Sequence, residues 1–408
     1  MITSWNVAFD MVMEIKHLYE EVIGKKCEYV GDNYLQSWVD ALSETDNPRV
    51  HIFKGVLDEL FVNQYGDYVL LHYKIPHDIN GLDYFEAYEG ALSECRSLVI
   101  DLRHESIVLA PFKKFRNIGE CDSLSEKAIL ARLEKATTIE FSEKLDGSMQ
   151  SARMVDGTLV MSGSKALARE QSYRLDGGYR YIETHVNYKM MLSENPELTF
   201  IFESIFSNDP HVVEYNEEGL YLVGIRDIRN GREFDYREVI NIAGRYSVLT
   251  TTMYDFTLPE AMDYLKSVSG KEHEGFVMNI DGFRVKMKAD DYIKINNWIF
   301  GLKDDNILLK TVLSEQMDDI IAKLPSPFKE DVKERTDRII SAIDKRREKV
   351  ANYMNQINEL GFVEKKDVMI WISNNVPRPF DAMVRCRYLK QNVDFTKNLT
   401  MEEVMLSE

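Results

Sequence analysis

The chain has 408 residues and 47.4 kDa, 44% apolar and 29% charged, the composition of a globular protein with one large or two ordinary domains. Its net charge of −18 argues against a protein that coats nucleic acid nonspecifically, though a local basic site can still grip a few phosphates. No apolar run approaches the roughly 20 residues of a bilayer span, Met1–Asn6 lacks a signal peptide's basic start and apolar core, and Cys27, Cys95, Cys121 and Cys386 form no Cys-x-x-Cys pair. A reducing cytoplasm is the expected compartment, with no membrane contact, no zinc or disulfide framework and no obligate protein partner.

The first 65 or so residues read mainly helical. Phe9, Val12, Met13, Ile15, Leu18, Val22 and Ile23 recur at helical spacing and stop at Gly24. From Tyr68 the texture turns to short β-rich runs: 68–73, 97–100, 138–141, 158–161, 199–202, 220–225 and 275–280. The last is followed by Asp281-Gly282, a hairpin signal, and then by Phe283-Arg284-Val285-Lys286-Met287-Lys288. Helical stretches are predicted near 123–135, 165–193 and 258–268. Strands and helices without strict alternation predict an α+β domain with antiparallel sheets. After Lys288 the strand signals cease. Ser326-Pro327 opens a helix of about nine turns that stops at Gly361, and helices near 364–374 and 379–391 follow. The boundary is expected near 300, giving a helical extension over 1–65, a catalytic domain over 66–300 and a helical domain over 301–408. Residues 326–390 carry 14 Lys/Arg against 10 Asp/Glu, a mild hint of a polyanion partner or an ordinary solvated surface. Trp371, Phe380 and Tyr388 can stack bases, but aromatics at helical spacing are more often core.

The densest chemistry is Lys144-Leu145-Asp146-Gly147-Ser148, an amine, a carboxylate and a tight turn within five residues. A lysine that attacks a nucleotide's α-phosphate must be neutral when it does so, and neighbouring cations can depress its pKa. Lys286 and Lys288, two apart on one strand face, are candidates for that role. Glu203 and Glu274 lie in β-rich runs, where a carboxylate is costly unless paired or functional, and could hold a divalent cation directly or through water. Taken singly, Asp-Gly is a common turn, Glu203 a paired structural carboxylate, and Lys286 and Lys288 the wet face of a strand.

In order, Lys144-x-Asp146-Gly147-Ser148, Phe202-Glu203, Glu274-Gly275-x-Val277 and Val285-Lys286-x-Lys288 resemble the nucleotidyltransferase motifs of the ATP-dependent ligase and mRNA-capping superfamily. Upstream, residues 94–101 and 110–117 resemble the segments before the lysine in the T4 RNA ligase 1 family. Tyr68–Tyr73 resembles its first core strand, and Asp291-Tyr292, Leu308–Thr311 and Asp318-Asp319 keep its downstream spacing. The resemblance covers about residues 66–320 and implies an antiparallel-sheet nucleotidyltransferase (ATP-grasp-like ligase) domain followed by an all-helical C-terminal domain without an OB-fold.

It further implies an ATP-dependent RNA ligase that uses Mg²⁺ or Mn²⁺. Lys144 would carry AMP; Asp146 and Gly147 would shape the loop; Tyr73, Arg96, Lys114, Glu203, Lys286 and Lys288 would contact ATP. Glu203 would serve the ribose or a hydrated metal, Glu274 the metal's water shell, and Asp318, beside Asp319, a metal. Lys165 is the candidate for the family's basic residue after the first motif. Arg116 stands where the family has a second aromatic, and the first 65 residues exceed its usual lead-in. The expected substrates are RNA 5′-phosphate and 3′-hydroxyl ends, joined through lysyl-AMP and adenylylated RNA. A tRNA broken in its anticodon loop and a phage origin, hence a host cytoplasm, are implied in the same way. A DNA ligase or capping enzyme would instead show an OB-fold's strands after Lys288. An inactive RNA-binding relative would not need both lysine sites and the acidic residues, and a purely structural protein leaves the ordered motifs unexplained.

Overall fold

The computed structural model describes residues 4–314 and 316–406. The chain forms two compact units, Met1–Asp290 and Asp291–Glu408. Among the described residues the first unit builds three four-stranded antiparallel sheets. The first sheet runs β1 (Leu60–Tyr65), β2 (Tyr68–Tyr73), β3 (Arg96–Asp101), β4 (Ser106–Leu109) in order. The second takes β5 (Ile139–Lys144), β10 (Met253–Tyr254), β11 (Gly275–Ile280) and β12 (Phe283–Lys288) in the order 10-5-11-12. The third takes β6 (Ser148–Val155), β7 (Thr158–Ser162), β8 (Leu198–Ile205) and β9 (Gly219–Asp227) in the order 7-6-8-9. This is the mixed helix and antiparallel-sheet class that the patterning predicts.

The N-terminal helices join the first unit's core. Met11, Val12 and Ile15, Leu35, Trp38 and Val39, and Phe53 and Leu57 pack with Val69, Leu71, Leu98 and Ile100 of β2 and β3. The first helix, Val7–Ile23, ends where Gly24 takes a left-handed φ of 70°. The Asp281-Gly282 turn has positive φ at both residues (48° and 88°), which matches the twist of β11 and β12. The helix predicted over 165–193 starts only at Tyr173 and breaks at His185, giving Tyr173–Thr184 and Val186–Glu194. Residues 60–65, predicted to be helical, form β1, because pairing with β2 satisfies their backbone.

Helix Asp290–Gly301 straddles the boundary between the units, and the second unit's other described elements are helices as well. The longest, Ser326–Glu359, has 34 residues with Pro327 in its first turn. Pro325, immediately before Ser326, takes the extended cap position. Val350, Ile357, Val368, Ile372, Met383 and Val384 form a core here, with Phe380 inside it and Trp371 and Tyr388 packed against it. No helix among the described residues is long and apolar enough to cross a membrane.

Candidate active site

Antiparallel pairing sets Lys144, the last residue of β5, opposite Gly275, the first of β11. Gly275 in turn lies opposite Lys288, the last residue of β12. Three strand ends therefore converge on one spot. A Cβ at Gly275 would lie 1.9 Å from the Met287 carbonyl oxygen, so only glycine lets β12 approach this closely. The preceding carboxylate, Glu274, is 2% exposed and accepts from both lysines: Lys144 Nζ at 2.7 Å on Oε2 and Lys288 Nζ at 2.8 Å on Oε1. Burial by itself would lower the Lys144 pKa, but the carboxylates of Glu274 and Glu203 outweigh it and hold the amine above its ordinary value. Neighbouring cations were expected to depress it; the buried carboxylates, Glu274 at 2.7 Å first, raise it instead.

Cations line the rest of this edge. Lys286 is pushed down to about 7, first by burial and then by the charges of Lys114, Lys144, Lys288 and Arg96. Lys114 is pushed down to about 8, by burial and then by Arg96, with smaller contributions from Lys144 and Arg116. Its ammonium donates to the Tyr73 hydroxyl at 2.6 Å and sits 4.7 Å from that ring's centre. Arg96 is aimed by a bulge. Leu71 opposes Leu98 and His72 opposes Arg96, which leaves Ser97 as the extra residue, with φ of 67°. The Arg96 guanidinium stacks over Phe115 at 4.9 Å, and its Nη1 is buried with no hydrogen-bond partner among the described residues. An orphaned buried donor of this kind suits an anionic ligand.

Arg96, Lys144 and Glu203 line a narrow pocket between the second and third sheets, partly open to solvent. Phe112, Phe115, Met149, Ile201, Val223 and Val277 supply apolar walls, and Glu140, Ser142, Thr251 and Asn279 supply polar lining. The space suits a flat aromatic base with its phosphates toward the cations. Burial pushes Glu203 up to about 7, and Lys144 only partly offsets this. Among the described residues no three carboxylate, histidine or cysteine side chains cluster to hold a metal. Glu203, and Glu274 with both oxygens already engaged, fit a cation held mainly by water and phosphate oxygens rather than by a protein cage.

The turn after Lys144 is folded inward. Asp146 is buried; its Oδ2 accepts from the Val212 and Val213 amides at 2.8 and 3.1 Å. A Cβ at Gly147 would lie 2.5 Å from the Ser204 carbonyl oxygen, so this position must also be glycine. The Gly147 amide donates to Glu203 Oε1 at 3.2 Å.

Lys144, Asp146, Gly147, Glu274, Tyr73, Arg96, Lys114, Glu203, Lys286 and Lys288 thus come together. Lys165 does not join them. Its ammonium lies 3.6 Å from the Phe61 ring centre and lines a separate pocket with Ser148, Gln171 and Arg174. Asp318 belongs to the second unit, exposed in the first turn of helix Met317–Lys323. Arg116 is paired with Asp83 at 2.6 Å, so this replacement for an aromatic is already occupied. Sequence reasoning missed Phe115 as the platform under Arg96, although it stands beside Lys114, and missed the segment 209–213 behind Asp146, which carries no local signal.

A strand-end lysine paired with a buried carboxylate, among further cations and beside a half-apolar pocket, offers an anionic ligand an amine and several positive charges. The RNA ligase family model matches residues 94–306, just over half of the chain. The chain belongs to this family, that of T4 RNA ligase 1. RNA ligase 1 of Bacteriophage TS2126 is 22% identical over 257 residues, covering 57% of this chain and 58% of that protein. A Thermovibrio ammonificans relative is 26% identical over 258 residues, covering 61% and 66%. The chain thus spans less than two thirds of each relative's length. Among solved structures, an archaeal ATP-dependent RNA ligase superposes with a TM-score of 0.44 at 14% identity, over 74% of this chain and 79% of that one. A Naegleria gruberi RNA ligase mutant with ATP and Mn gives 0.34 at 19% identity, over 41% and 54%.

Proposed function

We propose that this protein is an ATP-dependent RNA ligase that joins an RNA 5′-phosphate to a 3′-hydroxyl. The observation that carries the proposal is Glu274 gripping Lys144 and Lys288 at once, beside a pocket walled by Arg96. Lys144 Nζ attacks the α-phosphorus of ATP; a P–N bond forms, the bond to pyrophosphate breaks, and the amine gives up its proton. An RNA 5′-phosphate oxygen then attacks the same phosphorus and frees Lys144. An RNA 3′-hydroxyl attacks the activated 5′-phosphate, and AMP leaves.

Each residue has a part in this scheme. Glu274 keeps Lys144 charged and aimed before ATP arrives, so the ion pair must open for the amine to become a nucleophile. Lys286, Lys288, Lys114 and Arg96 neutralise phosphate oxygens, and the partly neutral Lys286 and Lys114 regain full charge as they do so. Tyr73 holds Lys114 in place. Glu203 faces the ribose or a hydrated cation. A divalent cation, Mg²⁺ or Mn²⁺, would supply charge at the phosphates when bound, and Glu203 and Glu274 would hold its water shell.

The helical unit, in place of an OB-fold, is assigned to RNA selection, with a cleaved tRNA anticodon loop as the natural substrate. The excess of 14 Lys/Arg over 10 Asp/Glu in residues 326–390 is compatible with this assignment. The test is competitive sealing of a nicked tRNA loop and a nicked DNA duplex. The tRNA should be sealed faster; faster sealing of DNA contradicts the proposal.

A further inference from the structure

Asp146 and Ser148, in the turn after Lys144, are tied together by His211 and Asp209, which the ligation scheme does not use. His211 Nδ1 lies 3.5 Å from Asp146 Oδ1, and Nε2 of the same ring lies 3.2 Å from Asp209 Oδ2. Asp209 Oδ2 also accepts the Ser148 hydroxyl at 2.7 Å. The result is a closed circuit from Asp146 through His211 and Asp209 to Ser148, beginning two residues after the lysine. Arg174 Nε at 2.7 Å and the Tyr173 hydroxyl at 3.4 Å complete the partners of Asp209. Asp146 and Asp209 are both buried. Arg174 and Ser148 offset Asp209 from one side and the Val212 and Val213 amides hold Asp146 from the other, and the ring lies between the two carboxylates. Only an imidazolium donates from both nitrogens at once.

We propose that His211, as an imidazolium bridging Asp146 and Asp209, is a positioning residue that fixes the loop aiming Lys144 at the nucleotide. The proposal rests on Lys144 being the nucleophile. Neither His211 nor Asp209 touches the pocket between the sheets, so their loss should slow transfer rather than weaken ATP binding. Burial would lower the pKa of His211, but Asp146 and Asp209 raise it to about 9. The bridge is therefore charged at neutral pH and opens above pH 9.

The test measures the rate of covalent AMP labelling of the full chain with ATP and Mg²⁺, for wild type, His211→Gln, Asp209→Asn and Lys144→Ala. Wild type should label and Lys144→Ala should not. His211→Gln and Asp209→Asn should label at least about ten-fold more slowly at saturating ATP, with half-saturating ATP within about two-fold of wild type. The wild-type rate should fall more steeply above pH 9 than that of His211→Gln, in which only the lysines of the cationic edge still lose charge. Wild-type rates in both variants, a loss confined to KM, or an alkaline fall as steep in His211→Gln as in wild type each overturn the bridge while leaving Lys144 in place. An unlabelled wild type overturns the ligase assignment instead. Should His211→Gln fail to fold, titration of the wild-type imidazole by NMR decides: a midpoint near 9 supports the bridge, and one below 7 overturns it.

Discussion

The two units treat charge in opposite ways. The first buries Glu94, Glu140, Asp146, Asp209, Arg226 and Glu274; among the described residues of the second, Arg346 is the one buried charged side chain. A buried charge is costly unless paired or hydrogen-bonded, and each of these is. Glu140 caps the helix Tyr236–Tyr246 through two amides, Arg226 locks Glu94 two residues before Arg96, and Glu274 holds two lysines. In the second unit Arg346 instead gathers Glu403 and the carbonyls of Phe395 and Lys397, a fastening for helix Met401–Leu406. Its other basic residues lie largely at the surface, where each is worth little alone.

The largest test of this contrast is Glu274→Gln. It removes the shared anion while keeping the shape, and AMP labelling should fall by about a hundred-fold or more; a change of less than about three-fold in the labelling time course would show that the lysine pair does not need it. Next is proton uptake. Free Lys286 and Lys114 are partly neutral at pH 8, with values of about 7 and about 8, and phosphates favour their charged forms. ATP binding at pH 8 should therefore take up protons, measured by calorimetry in two buffers of different ionisation enthalpy. Lys286→Met should reduce the uptake, and proton release would contradict the cationic wall.

Arg346→Ala sharpens the other side of the contrast. It should cost about 2–3 kcal/mol of stability, below the value for a fully buried pair because Glu403 is partly exposed. Denaturant unfolding measures that loss, and AMP labelling at low temperature should stay within about two-fold of wild type. The smallest effect belongs to the surface: Lys349→Gln with Lys366→Gln should lower RNA affinity by about 0.5 kcal/mol per residue and flatten its salt dependence. Unchanged salt dependence would remove this face from RNA binding.

Much of the site was legible because strand period and motif spacing cooperate. Lys286 and Lys288 share a face two residues apart, and Asp281-Gly282 announced the hairpin that carries them to Glu274. The strand after Gly147 was not legible. Ser148-Met149-Gln150-Ser151-Ala152-Arg153 lacks β-branched and aromatic residues, yet β6 sits between β7 and β8, where small buried side chains fit. Helix 173–184 was started too early because residues 165–172 carry helical spacing but are turned by local contacts, among them Gln171 accepting from the amides of Leu167 and Ala168. The role given to Lys165 rested on imperfect alignment, and tertiary packing takes that ammonium to Phe61. His211 was invisible because nothing local ties it to Asp146, 65 residues earlier in the chain.

The central claim is that Lys144 is the amine that carries AMP. The most direct measurement is peptide mapping by mass spectrometry after the full chain is incubated with ATP and Mg²⁺ alone. AMP should be found on the peptide containing Lys144 and be absent from Lys144→Ala; AMP on another residue, or labelling that persists in Lys144→Ala, contradicts the account.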